Sequence, residues 1–315
     1  MPKTTTARSR FAEDVAYYLS QTPRQLPSEH LYDELGSELF EAICRLPWYG
    51  ITRAEQRLLE RRAGDIVSRV APLATIVELG PGSGLKLATL LAARPAGPVT
   101  VHLVDVSAAA LDAAGRALAS DPDLAIVPHE ATYEAGLAEV AAGRRSSGKT
   151  LTLFLGSNIG NFDPPGAAAF LRNLRTAISE GDSLLLGADL VKPESELLLA
   201  YNDPLGVTAA FNKNLLVRAN TELDADFDLA GFSHRAIWND EASRIEMHLV
   251  STRRQRVRVP AVDLNVTFED GDTIWTESSY KYRTDQIVTM LSQAGFSSTS
   301  QWSDDGFALT LAAAR

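Results

Sequence analysis

Glu78, Gly80, Gly82 and Gly84 stand at alternate positions in the run IVELGPGSG, residues 76–84. The apolar residues before them read as a buried strand, and the glycines as a turn that lets a ligand lie against bare backbone. A nucleotide phosphate loop needs Gly-Lys-Ser/Thr after its glycines, and none follows. A dinucleotide turn, G-x-G-x-x-G/A, needs a small sixth residue so that the helix can approach the strand. Leu85 stands in that place, and the small residue comes one position early, at Gly84. A nicotinamide dehydrogenase therefore fails at Leu85. Asp105, closing the run VHLVD 25 residues past Gly80, offers a carboxylate to a ribose diol at the edge where open α/β sheets bind ligands. Lys86 follows the glycines, within reach of a ligand carboxylate; on spacing alone it is equally a solvent-facing helix lysine.

The pattern E-x-G-x-G-x-G followed by Asp105 resembles the glycine loop of class I methyltransferases. That resemblance implies S-adenosylmethionine, which has no pyrophosphate to cradle. A second run, FLGSNIGNF (residues 154–162), ends a later strand. Gly156 and Gly160 allow close backbone approach, and the Asn161 amide can donate and accept hydrogen bonds. Taken alone, Asn161 is equally an ordinary turn residue.

The elements that must hold these residues follow from periodicity. TIVEL, VTVHLVDV, LAIVPHEA, LTLFLGS and DSLLLGADL read as strands. Between them lie helical runs, one opened by Ser107 and one by prolines 164 and 165. Strands alternating with helices imply a parallel sheet covered on both faces. After Val191 the pattern changes. PESELLLAYND, GVTAAFNKNLLVRANTEL and LAGFSHRAIWND (residues 229–240) read as helix and loop, and residues 243–282 as several antiparallel strands. TDQIVTMLSQAGF reads as a helix, and STSQWSDD and FALTLAAA as two closing strands. The expected fold is α/β, a class I methyltransferase Rossmann-like sheet with an inserted α+β substrate-binding domain. Residues 54–191 and 281–315 would form the cofactor domain, and residues 8–53 and 192–280 the substrate domain.

The 315 residues are 45% hydrophobic and 22% charged, with a net charge of −10. That balance argues against a nucleic-acid partner, which needs a basic face. The one dense basic run, RRQRVRV (residues 253–259), alternates as the solvent face of a strand does. The single cysteine, Cys44, permits no internal disulfide and reads as a small buried apolar residue. The basic start lacks the apolar run of a signal peptide, and no run is long enough to span a membrane. The histidines at 30, 102, 129, 234 and 248 show no metal-ligand spacing. The expectation is a cytoplasmic monomer with no metal, acting on a small molecule.

YDELGSELFEAICRLP, Tyr49, TRAE, ELGPGSGLK, FLGSNIGNF, LLLGADLVK, YND, LGVTAAFN, ADFD and ESSYKYR occur in this order. Together they resemble the histidine Nα-methyltransferases of ergothioneine biosynthesis, from about Leu31 to the end of the chain. Those enzymes move three methyls from S-adenosylmethionine to the histidine α-amine, giving hercynine. The resemblance implies that Asn161, Tyr201 and Tyr49 hold the substrate amine and carboxylate and stand at the catalytic centre. It implies that Glu277 and Ser279 read the imidazole and that Met247 lines the ring pocket. Gly80, Lys86 and Asp105 would hold the cofactor, and the adenine position falls on Thr132 beside Tyr133. Without the resemblance, Glu277 and Ser279 read as a solvated strand face. The sequence departs from the family at Trp48, Gly50, Thr132 and Asn158. Two rivals stay open: an N-methyltransferase for another amino acid, such as a tryptophan derivative, and a ligand-binding homologue without turnover.

Overall fold

A computed structural model describes residues 3–143 and 148–315. The chain forms two compact units. The insert unit takes the residues up to Tyr49 and then Lys192–Ser279; the sheet unit takes Gly50–Val191 and Tyr280–Arg315. The basic start falls partly on the first two residues, outside the described ones; Lys3–Tyr18 is a helix.

In chain order the first segment carries α1 (Lys3–Tyr18), β1 (Arg24–Gln25) and α2 (Glu34–Cys44). The second carries α3 (Gly50–Arg69), β2 (Leu73–Leu79), α4 (Leu85–Leu91), β3 (Val99–Asp105), α5 (Ala108–Leu118), β4 (Leu124–Glu130), α6 (Tyr133–Gly143), β5 (Lys149–Phe154), α7 (Pro164–Ala177) and β6 (Ser183–Asp189). The third carries α8 (Glu194–Tyr201), α9 (Val207–Glu222), β7 (Phe232–Asn239), β8 (Arg244–Ser251), β9 (Gln255–Val259), β10 (Leu264–Phe268) and β11 (Thr273–Tyr280). The last carries α10 (Thr284–Gln293), β12 (Phe296–Asp304) and β13 (Phe307–Ala314).

The sheet unit is built on a seven-stranded sheet in the order β12-β13-β6-β5-β2-β3-β4. β2 to β6 run parallel, while β13 is antiparallel to β6 and to β12. β6 is buried along its whole length, as a strand covered on both faces must be. The helices start where the sequence caps them. Ser107 accepts the Ala110 N–H at the head of α5, and Asp163 accepts the Gly166 N–H at the head of α7, with proline in its first turn. Phe154, Phe162 and Phe170 form an aromatic core behind β5, and Phe162 stacks on Phe170 at 5.1 Å.

The insert unit has a four-stranded sheet, β1-β11-β8-β7, and a separate β9-β10 hairpin. Arg256 and Arg258 point outward from β9 and Val257 and Val259 inward, so the basic run is a solvated strand face. The expectation of helix and loop over residues 229–240 is overturned, because Phe232–Asn239 pairs antiparallel with Arg244–Ser251 from end to end. Its alternation is masked by His234. That half-buried ring is bonded to the Asn212 amide at 2.9 Å and the Tyr201 carbonyl at 2.8 Å. Cys44 is half-buried at the end of α2 rather than fully enclosed.

Candidate active site

In the sheet unit, β2 delivers Glu78 and the glycines to the carboxyl edge of the sheet. Gly80, Gly82 and Gly84 all have positive φ, at 74°, 53° and 75°, a region that favours glycine. A Cβ on Gly84 would sit 2.8 Å from the Ala114 backbone, so the loop is pressed against α5. A Cβ on Gly80 would meet the Asn158 amide nitrogen and the Tyr133 hydroxyl, each at 3.0 Å, whereas nothing lies within 4 Å of one on Gly82. The open side at Gly82 is where a ligand can approach backbone.

Three ionisable groups gather around that loop. Glu78 is 1% exposed and its Oε2 has no partner. Burial pushes its pKa up to about 8; Lys86 pulls it down, while Glu55 and Asp105 push it up. Burial also raises Asp105, against the pull of the Ser107 N–H that its carboxylate accepts at 2.9 Å. Lys86, on α4, forms a 2.5 Å ion pair with Glu55. Thr132 stands at the head of α6, where its carbonyl accepts the Gly136 N–H. Tyr133 is the residue that reaches Gly80, and burial raises its phenol. An open glycine turn, an orphaned buried carboxylate oxygen and Asp105 after the neighbouring strand fit the ribose and the cationic methionine end of S-adenosylmethionine.

Asn161 ends a short 3-10 turn, Asn158–Asn161, after β5. That turn is held by its surroundings. Ser157 has a left-handed φ of 60° and its hydroxyl accepts the Asp189 N–H at 2.9 Å. The Tyr282 hydroxyl donates to the Ile159 carbonyl, and a Cβ on Gly160 would sit 2.7 Å from the Tyr280 carbonyl. Beside Tyr280, Lys281 forms a fully buried 2.9 Å ion pair with Asp189.

In the insert unit, Tyr49, Tyr201, Met247, Glu277 and Ser279 are all buried. The Tyr201 and Ser279 hydroxyls meet at 2.8 Å. The Tyr49 and Tyr201 rings lie edge to face with centroids 6.1 Å apart. Tyr49 also touches Phe40, which leads through Tyr32 and Phe211 to the α2–α9 packing. Met247, on β8, lies opposite Ala236. Burial, and next the neighbouring Tyr201, raises the Tyr49 phenol well above its ordinary value. Tyr49 is therefore a neutral hydrogen-bonding group.

Sequence reasoning missed Glu55, Asp189 and Lys281, and it singled out Asn158 only as a departure. Glu55 had a usable signal: it stands three and four places before Leu58 and Leu59, on the buried stripe of α3. Among the described residues, Asp14, Glu29 and His30 bring three possible metal-ligand atoms within 4.8 Å of one another. Asp14 is bonded to His30 and Glu29 to Arg10.

A parallel sheet ending in an antiparallel hairpin, with an acidic glycine loop after its central strand and an acid after the next, defines a class I methyltransferase. A profile of the SAM-dependent, histidine-specific methyltransferases matches residues 11–315. The histidine N-alpha-methyltransferase of Mycolicibacterium smegmatis is 42% identical over 312 residues, covering 97% of this chain and 95% of its own. That of Mycobacterium tuberculosis is 43% identical over 305 residues, covering 95% and 94%. An L-tryptophan methyltransferase of Psilocybe serbica is 26% identical over 311 residues, covering 90% and 86%. The chain belongs to the SAM-dependent, histidine-specific methyltransferase family. No described helix is long and apolar enough to cross a membrane.

Proposed function

We propose that this enzyme transfers three methyl groups from S-adenosylmethionine to the α-amine of L-histidine, giving hercynine for ergothioneine biosynthesis. In this reading the sheet unit holds the cofactor and the insert unit the histidine side chain. One observation carries the choice of acceptor: Glu277 and Ser279 are 9% and 5% exposed, with Ser279 bonded to Tyr201. A solvated strand face would leave both open to water. A buried carboxylate and hydroxyl suit a neutral imidazole, which has an N–H to donate and a ring nitrogen to accept.

When bound, S-adenosylmethionine would supply an electrophilic methyl on cationic sulfur, with a neutral thioether as the leaving group. Gly80, Asp105 and Lys86 would hold it, with Thr132 and Tyr133 at the adenine side. The chain's task is placement and exclusion of water. Asn161 would bond the substrate carboxylate and amine. Tyr49 stays protonated and serves the amine as a hydrogen-bonding partner, so the amine proton leaves to water.

Calorimetric titration of histidine into enzyme saturated with S-adenosylhomocysteine tests the pocket. Glu277→Ala should weaken histidine by about 2–4 kcal/mol, the scale of a lost charged partner in a closed site, and tryptophan by much less. Unchanged histidine affinity would remove Glu277 from the pocket.

A further inference from the structure

Glu55 is fully enclosed, on the first turns of α3. Its two oxygens accept the Gly156 N–H at 2.9 and 3.0 Å, and one is 2.5 Å from the Lys86 ammonium. A Cβ on Gly187 of β6 would fall 2.2 Å from its other oxygen, so a glycine there leaves room for the carboxylate. The chain has thus placed a carboxylate on an apolar helix stripe and cleared a strand position for it. Unpaired burial of that charge would be costly, and nothing in the proposed reaction uses it directly.

We propose that Glu55 is a positioning residue that cancels the charge of Lys86 in the donor's seat, so that the site favours the cationic methyl donor over its neutral thioether product. Glu55 has no surface with which to touch a ligand. It acts through the two groups it holds: Lys86 on the helix opened by the glycine loop, and Gly156 at the end of β5. An ammonium alone would attract the methionine carboxylate of either ligand and repel only the sulfonium. Adding a fixed negative charge removes the repulsion and keeps the lysine in place. The field of both groups reaches the loop, since Lys86 pulls the Glu78 carboxyl down and Glu55 pushes it up. Donor and product differ by one charge and one methyl, so the ratio of their affinities reports this charge balance. Favouring the charged form would help the spent product leave between successive transfers.

The inference rests on the reading of Lys86 and the glycine loop as the donor's seat. Its test is calorimetric binding of S-adenosylmethionine and S-adenosylhomocysteine to wild type, Glu55→Gln, Lys86→Gln and the double variant. The glutamine at 55 keeps an oxygen for the Gly156 N–H and removes only charge. In Glu55→Gln the donor should weaken at least about fivefold more than the product, as expected for losing a nearby fixed charge in a partly desolvated site. Lys86→Gln should shift the ratio the other way, and the double variant should return it toward wild type while weakening both ligands. Equal weakening of both ligands in every variant would make Glu55 a merely structural residue and overturn the proposal, as would no change at all. If Glu55→Gln does not fold, Lys86→Gln is compared with the double variant, which differs from it only at Glu55: a donor-to-product affinity ratio that falls in the double variant supports the proposal, and an unchanged ratio overturns it. Failure of the donor-seat reading would look different: wild type itself would bind neither ligand.

Discussion

The hydroxyl of Tyr201, at the end of α8, lies 2.8 Å from that of Ser279 on β11, both buried in the insert unit. Each fixes the other's orientation, so under the proposed function a ring bonded by Ser279 would also be aligned by Tyr201. Tyr201→Phe should lower kcat/KM for histidine by about 1–3 kcal/mol, the cost of stranding a buried hydroxyl. Ser279→Ala should do the same, and the double variant should lose less than the sum. Additive losses in steady-state kinetics would show that the hydroxyls act separately.

Tyr49 makes a different prediction. With its pKa raised well above the ordinary tyrosine value by burial, it is protonated throughout the usual assay range. The rise of kcat/KM with pH should then report loss of the substrate's ammonium proton, in which Tyr49 takes no part. Tyr49→Phe should reduce the rate at every pH and leave the inflection where it is. An inflection that disappears in the variant would make Tyr49 the base.

Glu78 ties the cofactor loop to stability. Its pKa rises from 4.5 to about 8 in the folded chain. A raised acid pKa means that the folded state binds the extra proton, so stability falls as pH climbs from about 4.5 to about 8 and levels beyond. Glu78→Gln removes that dependence. Melting of the ligand-free protein at stepped pH should show the variant gaining on wild type across this window, with a slope of about 1.4 kcal/mol for each pH step of one. A gap independent of pH would contradict the assignment.

Much of this was legible in the chain. Five apolar strands with helices between them, a glycine loop whose third glycine comes one place early, and Asp105 after the next strand were enough for the sheet. β7 was not legible, because inward polar residues such as His234 find partners only once α8 and α9 are folded beside it. The same limit hid Lys281, whose counter-charge Asp189 is distant in sequence. Glu55 could be placed on the buried stripe of α3, but its partner Lys86 could not be read from that stripe. The burial of Glu277 and Ser279 was not legible, since an alternating Glu-x-Ser carries no sign of which face is buried; only the resemblance pointed to these two residues.

Lys281 and Asp189 show what such distant pairing implies. Both are fully buried, 2.9 Å apart, next to the turn that carries Asn161. Lys281→Met leaves the Asp189 carboxylate buried without its ammonium, and should cost about 3–5 kcal/mol of stability. Lys281→Met with Asp189→Leu should cost less, because no uncompensated charge remains buried. Urea denaturation finding the single variant as stable as wild type would mean the pair is neutralised in some other way.

Mass detection of products from S-adenosylmethionine and each of the twenty amino acids, supplied one at a time, tests the central claim most directly. Histidine should gain one, two and then three methyl groups and end as the trimethylated betaine, with tryptophan and the rest turned over far more slowly. Binding of S-adenosylmethionine with no methylated product from any amino acid, or faster turnover of tryptophan than of histidine, would contradict it.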